Sequence, residues 1–182
     1  AVAYKFLELE MAVSTDKAIY FAKNIEPQDL DNPGLRLESC GNLASKLAES
    51  DRIRQELILF QRNFPNKKVG AVLDGRDIGS VIFPNAKIKF FVTADLAVRA
   101  ERRKEDYKKM GQEYSLRDIT LKLKERDKRD KNRKVSPLIC MPDAIVYDNS
   151  ETSFERLNKE IIEIVEKKYK SLNLKINIKK MS

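Results

Sequence analysis

The sequence predicts an α/β fold built on a parallel sheet. Three short apolar runs carry that prediction: residues 69–73 (Val-Gly-Ala-Val-Leu), 88–92 (Ile-Lys-Phe-Phe-Val) and 144–147 (Ala-Ile-Val-Tyr). Each is bounded by charged or turn residues and separated from the next by long helical patterns, which is how strands buried on both faces read. At 182 residues the chain suits one domain with a sizeable core. Residues 1–170 are read as that core, and the basic stretch 171–182 as a frayed tail.

In chain order, residues 1–11 are helix-like, and Ser14 with Thr15 and Asp16 offers an N-cap for a second short helix ending before Pro27. Residues 24–38, holding Pro27, Pro33 and Gly34, read as a loop. Residues 43–60 form one helical pattern, with Pro65 stopping any continuation. Asp95 begins another helix, whose apolar stripe is Leu96, Ala100, Tyr107 and Met110; Arg103 shares the spacing of that stripe and Arg102 flanks it. Residues 104–115 are charged, contain Gly111 and join two helices, which suits a short mobile lid over an anionic ligand or a plain helical hairpin. Leu116, Ile119 and Leu123 then lie on one face of the next helix. Thr152 with Glu155 predicts a capping box for the last helix, where Phe154, Leu157, Ile161, Ile164 and Lys168 mark an amphipathic stripe.

Composition narrows the chemistry. The net charge of +8 and a pI near 9.4 imply attraction to polyanions, a property that a phosphorylated nucleotide satisfies as well as a nucleic acid does. There is no histidine, so a histidine base, a Ser-His-Asp triad and an imidazole metal ligand are excluded. Cys40 and Cys140 lie far apart without a paired spacing, which fits buried thiols in a reducing cytosol. No apolar run approaches the roughly 18 residues of a membrane span, and a soluble cytoplasmic monomer is expected.

Two charged signatures carry the candidate chemistry. In Asp74-Gly75-Arg76-Asp77-Ile78-Gly79, Asp74 sits where an apolar run ends, at the carboxyl edge of a predicted parallel strand, where open α/β sheets bind ligands. Arg76 and Asp77 offer a phosphate clamp and a carboxylate acceptor; an Asp/Gly turn with a surface ion pair is the alternative reading. In the second signature, residues 125–133, the helical stripe of Leu116, Ile119 and Leu123 continues through Arg126, Asp130 and Arg133. Three charged residues thus occupy the inward face and must find polar partners there. Two arginines beside one aspartate can hold a phosphate while the carboxylate takes ribose hydroxyls. An internal salt-bridge network is the other reading of that stripe.

Together with Phe83-Pro84-Asn85-Ala86, Lys89-Phe90-Phe91 and Pro137-Leu138, these two signatures resemble bacterial cytidylate kinase over roughly residues 39–165. The resemblance implies a P-loop nucleoside monophosphate kinase fold with helical acceptor-binding (about 12–65) and lid (about 102–133) regions. It implies phosphorylation of CMP and dCMP by ATP with Mg²⁺. By the same resemblance Ser45, Arg54 and Asp77 look like the cytosine-reading set, Arg126 and Asp130 like sugar ligands, and Arg76 and Arg133 like clamps on the acceptor phosphate. Arg102 matches a lid arginine that reaches the donor phosphates, and Asp74 stands where relatives hold the hydrated magnesium ion.

Two departures from the family pattern follow. No Gly-x-x-x-x-Gly-Lys-Ser/Thr run occurs among the six glycines, so the phosphate-cradling loop is expected upstream of Ala1 or missing, and the chain is read as N-terminally truncated. Residues 24–38 are too short for the small extra sheet that many relatives insert near the acceptor. Two other functions compete: a UMP or AMP kinase on the same fold, and a nucleic-acid-binding module using residues 122–134, where cations outnumber carboxylates. The interleaved Glu125, Asp127 and Asp130 and the absence of an aromatic platform weigh against the latter.

Overall fold

The computed structural model describes residues 1–64 and 71–171. They form two compact units: one of Ala1–Pro84 with Lys131–Leu138, the other of Asn85–Asp130 with the residues from Ile139 onward.

The first unit is helical. Helices α1 (Val2–Glu8), α2 (Thr15–Lys23), α3 (Glu38–Leu47) and α4 (Asp51–Asn63) surround a core of Val2, Ala3, Phe6, Ala18, Ala22, Cys40, Leu47 and Ile53. The predicted cap is present, with Ser14 Oγ accepting from the Lys17 amide at 3.4 Å. Small residues let α2 come close: Ala18 and Ala22 are fully enclosed, while Phe6 meets Phe21 edge-on with ring centroids 5.2 Å apart. Burying Phe6 and Ile53, each 2 % exposed, contributes about 1.5–3 kcal/mol apiece. The loop expected at 24–38 contains two 3₁₀ turns, Pro27–Leu30 and Pro33–Arg36. Gly34 lets the Tyr4 ring pack closely there, because a Cβ would stand 2.1 Å from it and force the ring to shift.

The single helix expected over 43–60 is two helices. Ser50 is extended, at φ −82° and ψ 117°, and α4 restarts on the Ser50-Asp51 pair. An aspartate in a first turn favours a helix start through the helix dipole, and the break leaves the Ala48 carbonyl open to Arg54. The strand expected at 69–73 is also corrected. Residues 71–73 have no regular structure and Val72 is fully exposed, since no strand among the described residues pairs with this run. Val69 and Gly70 lie outside the described residues, as do Pro65 and the tail from 172. A π-helical turn, Ile78–Ile82, follows and is fastened to α4 by Arg62, whose Nε and Nη2 donate to the carbonyls of Ile82 and Val81, both at 3.1 Å.

The second unit holds the parallel pair that the sequence predicts. Strand β1 (Phe90–Thr93) runs alongside β2 (Ile145–Asp148) in the register Phe90↔Ile145 to Thr93↔Asp148. Lys89, buried just before β1, reaches Asp143 before β2 with Nζ to Oδ2 at 2.7 Å. Helices α5 (Leu96–Lys109) and α6 (Leu116–Asn132) form a hairpin around Ala100, Tyr107 and Ile119, with Tyr114, Leu116 and Leu123 against them. Met110, expected on that stripe, is exposed, because the helix ends at Lys109 and the chain turns through Gly111 at φ 72°. Arg103 does share the stripe, and lies 4.5 Å from the centre of the Tyr107 ring. Helix α7 (Phe154–Ser171) is capped by Ser153, whose Oγ accepts from the Arg156 amide at 3.3 Å, in place of the expected Thr152. Its stripe is only partly covered: Leu157, Ile161 and Ile164 are half-buried, and Phe154 and Lys168 are exposed.

Candidate active site

In the first unit, the base-reading candidates Arg54 and Asp77 meet. Arg54 lies in the first turn of α4, its amide donating to the Ser50 carbonyl at 3.1 Å. Asp77 precedes the π-helical turn, and its carbonyl accepts from the amides of Val81 and Ile82 at 2.8 and 3.2 Å, so its backbone is fixed. Arg54 Nη2 donates to Asp77 Oδ2 with both residues buried, at 9 % and 8 % exposure. Among the described residues the guanidinium also makes a 3.5 Å bond from Nη1 to the Ala48 carbonyl. Among the described residues its Nε is buried with no partner. Ser45 is half-buried on α3.

Asp74 and Arg76, just ahead of Asp77, are exposed on irregular chain. Among the described residues no group of three carboxylate, cysteine or histidine side chains could hold a metal. Arg133 is not on the helical stripe, because α6 ends at Asn132. It is half-buried, and its Nε donates to the carbonyl of Ser136, a turn residue at φ 50°.

In the second unit, α6 places Asp130 inward, at 6 % exposure, and Arg126 one turn earlier, with Nε 4.0 Å from Asp130 Oδ2. Arg126 is not buried as the stripe predicts; 47 % of its side chain is exposed. The long arginine stem lets the guanidinium reach outward while its helix position faces in. Arg102, exposed on α5, donates from Nη1 to Asn149 Oδ1 at 2.7 Å and from Nη2 to the Asn149 carbonyl at 2.8 Å. Carboxylates near the strand ends are biased toward the charged form. The Lys89 ammonium, donating to Asp143, holds that carboxyl below the ordinary range, and the Ser150 hydroxyl and amide do the same for Asp148.

Arg99, which forms a bidentate pair with Asp127, and Asn149, which accepts from Arg102, stand in no motif of the sequence. Arg99 and Asp127 stand 28 positions apart, with neither helical period nor local spacing to link them. Cys140, expected buried, is exposed, whereas Cys40 is buried; both are free thiols.

In the second unit a parallel β pair leads into an arginine-bearing helical hairpin, the α/β arrangement that the sequence predicts. The family model for cytidylate kinase matches residues 3–167. A cytidylate kinase of Nitrobacter winogradskyi is 42% identical over 150 residues, covering 82% of this chain and 71% of the relative. That of Bradyrhizobium diazoefficiens is 38% identical over 167 residues, 91% of this chain and 79% of the relative. That of Methylococcus capsulatus is 43% identical over 129 residues, 71% and 58% respectively. The chain belongs to the cytidylate kinase family, with its P-loop nucleoside monophosphate kinase fold. Among the described residues no helix is long and apolar enough to cross a membrane.

Proposed function

We propose that this chain phosphorylates CMP and dCMP, taking the γ-phosphate of ATP, and that Arg54 and Asp77 read the base. The observation that carries this reading is the buried pair itself, a guanidinium held against a carboxylate whose backbone is fixed. Cytosine presents ring acceptors next to an exocyclic amine donor, and such an edge is matched by one donor and one acceptor held side by side. Uracil places a carbonyl where cytosine has its amine, which leaves two acceptors facing each other. An unsatisfied buried acceptor costs about 1–3 kcal/mol, or roughly ten- to a hundredfold in affinity. Ser45 on α3 completes the base-reading set.

Arg126 and Asp130 would take the sugar hydroxyls, and Arg76 and Arg133 the acceptor phosphate. Arg102 would leave Asn149 to meet the donor phosphates. Phosphoryl transfer requires in-line placement and positive charge around the moving group and no side-chain nucleophile, so a chain without histidine can carry it out with arginines. A lone exposed carboxylate such as Asp74 suits a magnesium ion that arrives on the donor's phosphates with its own waters. That ion would neutralise charge on the transferring phosphate.

The test is a calorimetric titration of the 182-residue chain with CMP and with UMP in one buffer, repeated for Asp77→Asn. CMP should bind at least roughly tenfold tighter than UMP, and Asp77→Asn should erase most of that gap. Equal affinity for the two nucleotides would remove the base-reading role of the pair.

A further inference from the structure

All three nitrogens of the Arg99 guanidinium donate hydrogen bonds within the second unit. Its Nε donates to the carbonyl of Ala94, just beyond β1, at 2.9 Å, while Nη1 and Nη2 donate to Asp127 Oδ1 and Oδ2 at 3.1 and 2.8 Å. One guanidinium near the start of α5 therefore ties the end of β1 to the far part of α6. With side chains 34% and 36% exposed, the pair adds little to stability. Its value lies in geometry, because a two-pronged fork on a carboxylate fixes rotation as well as distance.

What that rotation governs is set by helix spacing. Asp127 adjoins Arg126 and lies one helical turn before Asp130, so anything that fixes Asp127 fixes the bearing of both neighbours. The apolar contacts of the hairpin, among Ala100, Tyr107 and Ile119, involve the earlier part of α6; Arg99 clamps the part that carries Arg126 and Asp130.

We propose that Arg99 and Asp127 are positioning residues for the acceptor nucleotide: their ion pair sets the rotation of α6 so that Arg126 and Asp130 meet the sugar. This rests on the reading of Arg126 and Asp130 as sugar ligands. The test is calorimetric titration of the full chain with CMP for Arg99→Gln, Asp127→Asn and Asp130→Ala, and for Arg99→Gln and Asp127→Asn each combined with Asp130→Ala. A misplacement on the ångström scale should weaken CMP binding on the order of tenfold in each single variant. In the Asp130→Ala background the same changes should cost less than about twofold, since coupled residues are non-additive. Singles with wild-type affinity, or the same loss in both backgrounds as general destabilisation would give, overturn the proposal. Wild-type CMP affinity in Asp130→Ala would instead remove the sugar reading, and this inference with it.

Discussion

Replacing Asp77 with alanine should destabilise the protein and abolish base recognition by separate routes. Arg54 and Asp77 have side chains only 10% exposed, and among the described residues the guanidinium's other hydrogen bond is the 3.5 Å one to the Ala48 carbonyl. Without the carboxylate, a buried cation keeps one long hydrogen bond and an already open Nε. Removing one partner of a buried ion pair costs about 3–5 kcal/mol. Water entering the space left by the carboxylate places the loss at the lower end, about 3 kcal/mol, or roughly 6–12 °C in Tm for a chain of this size. Adding Arg54→Met should recover most of that loss, because the desolvation cost leaves with the charge. Stability is followed by equilibrium urea unfolding with far-UV circular dichroism, and recognition by CMP titration. The double variant should be nearly as stable as wild type and should not discriminate CMP from UMP. A loss below about 1 kcal/mol in Asp77→Ala would place the pair among solvated surface pairs, and a discriminating double variant would refute the base-reading argument.

Two further outcomes follow from local chemistry. The Lys89 ammonium holds the Asp143 carboxyl below its ordinary range, so this pair's contribution is fully present above the unfolded carboxylate range and is lost as pH falls through the lower folded value. Asp143→Asn should flatten the acid side of a Tm-against-pH curve below about pH 4, and an unchanged acid limb would remove the pair from the account. Cys140 is exposed, whereas Cys40 is buried and its thiol is pushed up by that burial. An alkylating reagent should therefore add one adduct to the folded protein and a second only in denaturant, read by intact mass; two adducts at equal native rates would contradict the buried position of Cys40.

What the sequence made legible and what it hid have different physical origins. Helical period reports the face a residue occupies, so Leu116, Ile119 and Leu123 led correctly to the inward position of Asp130, which is 6 % exposed. The same rule failed at Arg133, because it assumes the helix continues, and α6 stops at Asn132. It missed the break between α3 and α4 because the apolar spacing of residues 43–60 runs through it; the start signal Ser50-Asp51 was present but local. For residues 69–73 hydrophobicity stood in for pairing, yet a strand is defined by its neighbour, and Val72 has none among the described residues. The Arg99–Asp127 pair lay beyond any such rule. Its partners are brought together by the hairpin turn, where Gly111 sits at φ 72°. Adding or removing one residue on α6 between the apolar contacts and Asp127 would rotate Asp127 by about 100° about the helix axis and take the carboxylate out of reach of the fork. Within residues 124–131 the helical stripe singles out Asp130 but not Asp127, and it is the geometry of the turn that brings Asp127 to the Arg99 fork.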